Sequence, residues 1–286
     1  LNGVTVKGKE VEMVNTSIML TLENGRHVPA VMLPPGAALT GLTQTLNIPP
    51  LNGAIAMVGG AAAFDKPEYA KVRQQVAALV DELADFAIAY QLAIVDGGTP
   101  YGAMRMMGEA CHAKNYRFPL IGVAPNGKVA WSPNIGINYQ YTWFSGLDYR
   151  QVASELRKTP LDKHHSAFVL VEANEWGDEV EMLAATAHEL AGKNGSLEVL
   201  INGGEVARRD VTTYLKHGGQ VIVVEGTGRF ADELALACRT GYTPDPQIQE
   251  VLDSKRIHVF ALGDPPKLFI NKLLELAKWQ FPSIAR

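Results

Sequence analysis

Cysteine is scarce in this chain. Cys111 and Cys238 are the two it has, and neither sits in a C-x-x-C pair. A disulfide framework and a cysteine zinc site are thereby excluded, and each cysteine reads as a small buried apolar residue of a reducing, cytoplasmic compartment. Long apolar runs are missing as well. None reaches the ~18 residues of a membrane span, and no leader pattern opens the sequence, so no direct membrane contact is expected of this fragment. Charge of one sign is missing too. The 26 Lys and Arg are interspersed with 30 Asp and Glu, giving a net charge of -4; no basic block or stripe offers a footprint for nucleic acid. The G-x-S-x-G elbow, the H-E-x-x-H pair and the Walker loop are all lacking. His164 and His165 stand near Asp162, but adjacent residues on an extended segment face opposite ways and do not readily share an ion. Their expected role is structural, and no metal or cofactor is expected.

What is present is enough apolar material for a sizeable core: 47% of 286 residues are hydrophobic, which suits one large α/β unit. The chain opens on Leu1 rather than Met, which fits a fragment whose effector domain lies elsewhere. Residues 1–50 read as a β-rich extension. Val11–Leu22 is a β-branched, apolar segment, Glu23-Asn24-Gly25 is a turn, and a short helix is placed near Leu39–Leu46. This extension packs on a main fold spanning 51–286.

From Ala54 the rhythm becomes strand, glycine, helix. Ala54–Val58 is a strand; Asp65 reads as a helix cap, with Pro67 in the first turn. Val72, Val76, Leu79, Leu83, Phe86 and Tyr90 then recur at helical spacing. Further strands are expected at Leu92–Val95, Pro119–Val123, Ala167–Glu172, Leu197–Ile201, Gln220–Val224 and Ile257–Leu262. Helices are expected at Gly102–Ala113, Asp178–Gly192, Glu205–His217, Arg229–Cys238 and Lys267–Gln280. Residues 125–165 interrupt the pattern with Trp131, Pro133, Tyr139, Tyr141, Trp143 and Phe144, and with a helix at Tyr149–Arg157. These aromatics either cover a base ring or pack an interface. Alternating strands and helices imply right-handed crossovers and a Rossmann-like, doubly wound, mostly parallel sheet with helices on both faces, beside the small N-terminal β element.

Four strands end in glycine: Gly59-Gly60, Gly97-Gly98, Gly203-Gly204 and Gly226-Thr227-Gly228. In a parallel sheet these ends share one edge, where ligands bind. Glycine admits a close ligand and a positive φ, and the following helix points free N–H groups at the same place, which suits phosphate. Thr99, Tyr101, Gly102, Glu205 and Thr227 flank these loops and join the candidate ligand set. Glu109, one helical face further on, either bonds a ribose hydroxyl or is solvated. Arg229 follows the last glycine, where a guanidinium can grip a phosphate through two parallel hydrogen bonds; the competing reading is an ion pair with Glu225 or Asp232. Residues 226–231 also spell G-x-G-x-x-A, but late in the chain and with no acidic ribose partner after the next strand, which disfavours a nicotinamide dehydrogenase.

Ala54–Val129 resembles the first half of the Lonely Guy (LOG) fold, through Val58-Gly59-Gly60, Lys66-Pro67-Glu68-Tyr69, Val95-Asp96-Gly97-Gly98 and Gly102-Ala103-Met104. The chain is more similar still to the N-terminal cytosolic region of TRPM cation channels. The shared pieces include Gly108-Glu109-Ala110, Ile121-Gly122-Val123-Ala124-Pro125, Leu161-Asp162-Lys163-His164-His165-Ser166 and Glu225-Gly226-Thr227-Gly228-Arg229-Phe230-Ala231-Asp232. Both belong to the SLOG superfamily, and the best fit is its prokaryotic branch related to TRPM.

The resemblance implies a cytosolic sensor or binding domain for an ADP-ribose-like or other nucleotide-derived ligand, in a chain that forms homo-oligomers. The alternative it implies is a LOG-like nucleoside monophosphate N-glycosidase. Those enzymes carry P-G-G-x-G-T-x-x-E. Here the loop runs Asn202-Gly203-Gly204-Glu205-Val206-Ala207-Arg208-Arg209-Asp210, with Asp210 in the place of the catalytic glutamate, and no arginine stands between His165 and Asn202. Sensing is therefore the first expectation, with Asp210 the catalytic residue if the chain is an enzyme. The resemblance also implies that Trp176 supplies a stacking face, while Met182 and Leu183 occupy a region where nucleotide-binding TRPM channels carry an arginine.

Overall fold

The computed structural model describes residues 16–133, 158–277 and Trp279. Strands β1 (Thr16–Thr21) and β2 (His27–Leu33) form an antiparallel hairpin. Its turn is built as the sequence suggests: Gly25 adopts a φ of 80°, and Asn24 Oδ1 accepts the Arg26 N–H. A single helical turn, α1 (Leu42–Thr45), follows. The alternation then runs β3 (Gly53–Gly59), α2 (Ala70–Tyr90), β4 (Leu92–Asp96), α3 (Gly102–Ala113) and β5 (Leu120–Pro125). Three two-residue strands, β6 (Val129–Ala130), β7 (Ser132–Pro133) and β8 (Thr159–Pro160), flank residues 134–157. The expected helix Tyr149–Arg157 and the aromatics Tyr139, Tyr141, Trp143 and Phe144 fall outside the described residues. The rest is β9 (Ala167–Val171), α4 (Val180–Ala191), β10 (Ser196–Ile201), α5 (Glu205–Lys216), β11 (Gln220–Glu225), α6 (Arg229–Thr240), α7 (Pro246–Asp253), β12 (Ile257–Ala261) and α8 (Pro266–Ala277).

Ten strands make one sheet in the order β12-β11-β10-β3-β4-β5-β9-β2-β1-β7. Every pairing from β12 to β2 is parallel, and β1 pairs antiparallel with both β2 and β7. The residues of 16–33 are thus joined to the rest by main-chain bonding, through β2 against β9. Period-two alternation sorts the core into two layers. Ala54, Ala56 and Val58 face α4 to α7 through Met182, Val211, Leu234 and Ile248. Ile55 and Met57 face α2, α3 and α8 through Leu83, Met107 and Phe269. Each fully buried Leu or Phe contributes roughly 1.5–3 kcal/mol, and both faces are covered, as parallel sheets require.

Two local readings of the sequence are corrected. Asp65 does not cap α2; it lies in a 3₁₀ turn, and its carboxylate accepts the Gly102 N–H at 2.9 Å and pairs with Arg105 at 2.7 Å. It serves the start of α3 instead, where a negative charge meets the positive end of the helix. Helix α7 was not expected. Its signals are ordinary ones: Asp245 accepts the Gln247 N–H at 2.9 Å, Pro246 opens the helix, and Ile248 and Val251 are buried.

The order of the sheet decides where a ligand fits. After β3 the chain moves outward through β4, β5 and β9; it then returns to place β10, β11 and β12 on the other side of β3. The reversal lies between β3 and β10, and the crevice outside the C-terminal ends of those two strands is the place the topology opens for a ligand.

Candidate functional site

The four glycine-ended strands, β4, β3, β10 and β11, are consecutive in the sheet, so all four loops share one edge. Main-chain bonds lace them together. Gly60 N–H donates to Ile201 O at 2.6 Å, Ala103 N–H to Gly60 O at 2.9 Å, and Ala231 N–H to Asn202 O at 2.8 Å. Asn202 also donates its side-chain amide to Thr227 O at 2.7 Å.

The tightest of these crossings is at Gly102. Its φ is 51°, and a Cβ there would lie 1.9 Å from Gly60 O. Gly102→Ala therefore meets both backbone strain and backbone overlap, each costing about 1–3 kcal/mol. Denaturant titration is expected to show a loss of about 3 kcal/mol, and a loss under about 1 kcal/mol would mean that the first two loops are not rigidly joined.

A cavity of about 400 Å³ opens at this edge. Its near wall is the end of β3 and the turn after it: Met57, Val58, Gly59 and Ala61 to Ala63. The second loop contributes Gly97, Thr99, Tyr101 and Met104. The far wall holds Trp176, Glu179 and Leu183, then Gly204 to Ala207, Asp210 and Arg229, with Thr159 at one side. Nine candidates from the sequence thus meet here: Gly59, Gly97, Thr99, Tyr101, Trp176, Gly204, Glu205, Asp210 and Arg229.

The others stand behind the wall. A Cβ on Gly60 would touch Phe64 at 2.8 Å, and one on Gly203 would touch Ala207 at 2.9 Å. Gly98 is pressed against Gly122 and Phe168; Gly226 and Gly228 both take a φ of 90° to shape the last turn. Thr227 is fully buried, and its hydroxyl is used within the turn, donating to Val224 O and accepting the Asn202 N–H. Glu109 is exposed beside Arg105, 3.3 Å away, and does not line the cavity. Sequence reasoning missed the apolar wall and Glu179. The last residues of β3 were legible as lining; nothing in the sequence around Glu179 marked it as buried.

Arg229 is the cation of the cavity. Its φ of 56° is unusual for a side chain of this size, and its guanidinium lies over Gly204, where an added Cβ would be 2.6 Å away. Neither expected acid holds it. Glu225 pairs with Arg239, and Asp232 accepts the Gly226 N–H at 2.7 Å. Among the described residues Arg229 has no ion-pair or hydrogen-bond partner, and no second Lys or Arg lines the cavity. Neighbouring Arg208, by contrast, is spent on Asp245 at 2.6 Å and Glu233 at 3.0 Å.

Two acids line the same cavity, each 6% exposed: Glu179, at the start of α4, and Asp210, on α5. Glu179 accepts the Gly177 N–H at 2.7 Å. Asp210 has no hydrogen-bond partner among the described residues. Burial pushes both carboxyls up from their ordinary values, and the charge of Glu179 pushes Asp210 further, against a smaller opposing pull from Arg209.

The second loop is held from below by a buried Asp–His–Asp chain. His165 Nε2 lies 2.8 Å from Asp96 Oδ1 and its Nδ1 3.0 Å from Asp162 Oδ1. Asp96 Oδ1 also accepts the Gly98 N–H at 2.7 Å, and Asp162 N–H donates to Gly98 O at 2.8 Å. Burial would push the imidazole down, but the two carboxylates outweigh it and raise His165 to about 10. His164 faces away and stacks on His112, with ring centres 4.6 Å apart. Among the described residues no group of three His, Cys, Asp or Glu could hold a metal ion, and no helix is long and apolar enough to cross a membrane.

Comparison with known proteins adds the following. The profile of the family described as SLOG in TRPM, prokaryote, matches residues 52–270. No curated protein matches the chain. Among solved structures, the structural-genomics protein TM1055 is 13% identical, with a TM-score of 0.48 over 78% of this chain and 99% of its own. The molybdenum cofactor carrier protein of Chlamydomonas reinhardtii is 14% identical, with a TM-score of 0.45 over 79% of this chain and 98% of its own. No residue role is carried over from either.

Proposed function

Starting from the fact that this chain belongs to the prokaryotic SLOG-in-TRPM family, we propose that it is a binding domain for a nucleotide-derived phosphate ligand, ADP-ribose-like in chemistry, and that it works as a cytosolic sensor. The observation that carries this reading is Arg229, a guanidinium lining a cavity, at a helix N-terminus, with no anion paired to it among the described residues. A phosphate oxygen there would meet the guanidinium, free N–H groups and the positive end of α6 together. Trp176, 40% exposed at the rim, offers a face on which a base can stack. Thr99 and Tyr101 line the same cavity and carry hydroxyls.

Titration calorimetry with ADP-ribose, AMP and adenosine tests the reading. Both phosphate esters are expected to bind at least about tenfold more tightly than adenosine, the effect of one charge-assisted contact. Equal affinity for all three would overturn it.

A second reading, N-glycosidase action on a nucleoside monophosphate, is favoured by one feature: the paired buried acids Glu179 and Asp210 that line the cavity together with Arg229. Paired carboxyls in a cleft are the usual equipment for glycosidic cleavage. Chromatography of free base after incubation with AMP separates the readings. Turnover at about 1 per second or faster, typical of enzymes, would assign the chain to the second.

A further inference from the structure

Asp210 is not alone behind the cavity wall. On β10, Glu198 points to the same face of the sheet as Leu200, is fully buried, and has no hydrogen-bond partner at either carboxyl oxygen among the described residues. Three acids thus stand in a row, from the α4 start through α5 to the sheet: Glu179, Asp210, Glu198. The groups facing the middle one are few. Glu179 and Glu198 lie on the packed elements, Arg209 is exposed on Asp210's own helix, and Arg229, from α6, lines the same cavity. Among the described residues neither Glu198 nor Asp210 forms an ion pair. Three buried like charges without bonded counter-ions are electrostatically untenable, so the inner members must carry protons.

An unpartnered, protonated carboxyl that faces a cavity is a hydrogen-bond donor without an acceptor. We infer that Asp210 is a specificity-determining residue which presents its carboxyl proton to an acceptor atom of the ligand, so that the cavity admits an anion beside it only while that proton is in place. This rests on the reading of the cavity as a phosphate site. Glu179 is the positioning partner: it is the acid already stabilised by a backbone N–H, at Gly177, and its negative charge keeps the proton on Asp210. Glu198 closes the row from behind, where its own burial, and the charge Asp210 would carry on ionising, raise it well above its ordinary value. The ligand group taken at this point is an oxyanion or a carbonyl or ring-nitrogen acceptor, not a cation.

The test uses AMP as probe on the whole chain between about pH 7 and about pH 9, where its phosphate is already dianionic. Calorimetric affinity of the wild type is expected to fall with rising pH, approaching tenfold per unit once Asp210 ionises. Asp210→Asn keeps a donor that does not titrate, and its profile is expected to be flat. Glu179→Gln removes the neighbouring charge and is expected to bring the fall to lower pH. Carbon NMR of the aspartate carboxyls, assigned by difference from Asp210→Asn, reads the proton without any ligand. A wild-type Asp210 already ionised at about pH 7 would overturn the inference, as would the same sloping profile in wild type and Asp210→Asn. Absence of AMP binding at every pH in the wild type would overturn the phosphate reading itself and this inference with it, which distinguishes the two failures.

Discussion

His165→Leu is expected to destabilise the fold by about 3–5 kcal/mol, the cost of breaking a buried ion pair from one side. The imidazolium is fully buried, and both ring nitrogens are engaged by carboxylates that are themselves buried. Leucine of similar size fills the space but leaves Asp96 and Asp162 unneutralised, and one oxygen of Asp96 already lacks a partner. The pH dependence carries the same signature. His165 titrates at about 10 in the fold against about 6.5 in an unfolded chain. Its stabilisation is therefore complete below about 6.5, declines as the unfolded chain stops binding the proton, and is lost as pH rises through about 10. Melting temperature of the wild type is expected to fall steadily over this alkaline window. In His165→Leu the starting value is lower and the decline shallower. Equal stability of the two proteins at neutral pH would show that the carboxylates are solvated or protonated, and the clamp beneath Gly97 and Gly98 would not exist.

The sheet was readable because its rules are local. Buried parallel strands read as short apolar runs, such as Leu92–Val95 and Ala167–Glu172, and four of them end in glycine. Alternation of strand and helix then fixes parallel pairing. The place of the ligand crevice also followed from the glycines, although for a partly different reason. Gly60, Gly98, Gly102 and Gly203 are required by neighbouring protein atoms; Gly97 and Gly204 form lining; Gly59 does both, since it lines the cavity and an added Cβ would lie 2.0 Å from Ile201 O. A glycine in sequence does not say which of these it is.

Charged residues were harder to place, because their partners come from distant segments. Asp65 reads as a cap for the next helix and instead meets Gly102 and Arg105, more than thirty positions on. Glu179 reads as one more acid in Glu175-Trp176-Gly177-Asp178-Glu179, and only the packing of α4 against the sheet buries it. Glu198 sits in a strand pattern that would accept valine. What marks it is full burial without a hydrogen-bond partner among the described residues, and that is visible only in three dimensions. The row of three acids is thus the part of the site that sequence periodicity hides best, since each member belongs to a different element.

Arg229→Ala is expected to weaken binding of ADP-ribose or AMP about tenfold to a hundredfold while leaving the fold intact. A charge-assisted hydrogen bond contributes roughly 1.5–3 kcal/mol, which is that range in affinity. The side chain is exposed and lies against Gly204 rather than within either core layer, so its removal leaves no cavity of consequence. The backbone adds a second consideration. Arg229 takes a φ of 56° at the first position of α6, following Gly228 at a φ of 90°. Alanine tolerates that conformation no better than arginine, so the strain is common to both and cancels in the comparison. Lysine should recover only part of the loss, because a point charge cannot reproduce the guanidinium fork. Glycine is the informative third variant: it relieves the positive φ, and so should match alanine in affinity while melting at or above the wild type. Calorimetric titrations of the four proteins, with paired melting curves, decide the matter. Equal affinity throughout would mean that the ligand's phosphate lies elsewhere along the glycine edge and that the free guanidinium serves another partner. A collapse of melting temperature in alanine and lysine alike would instead make Arg229 a structural pin between Gly204 and α6.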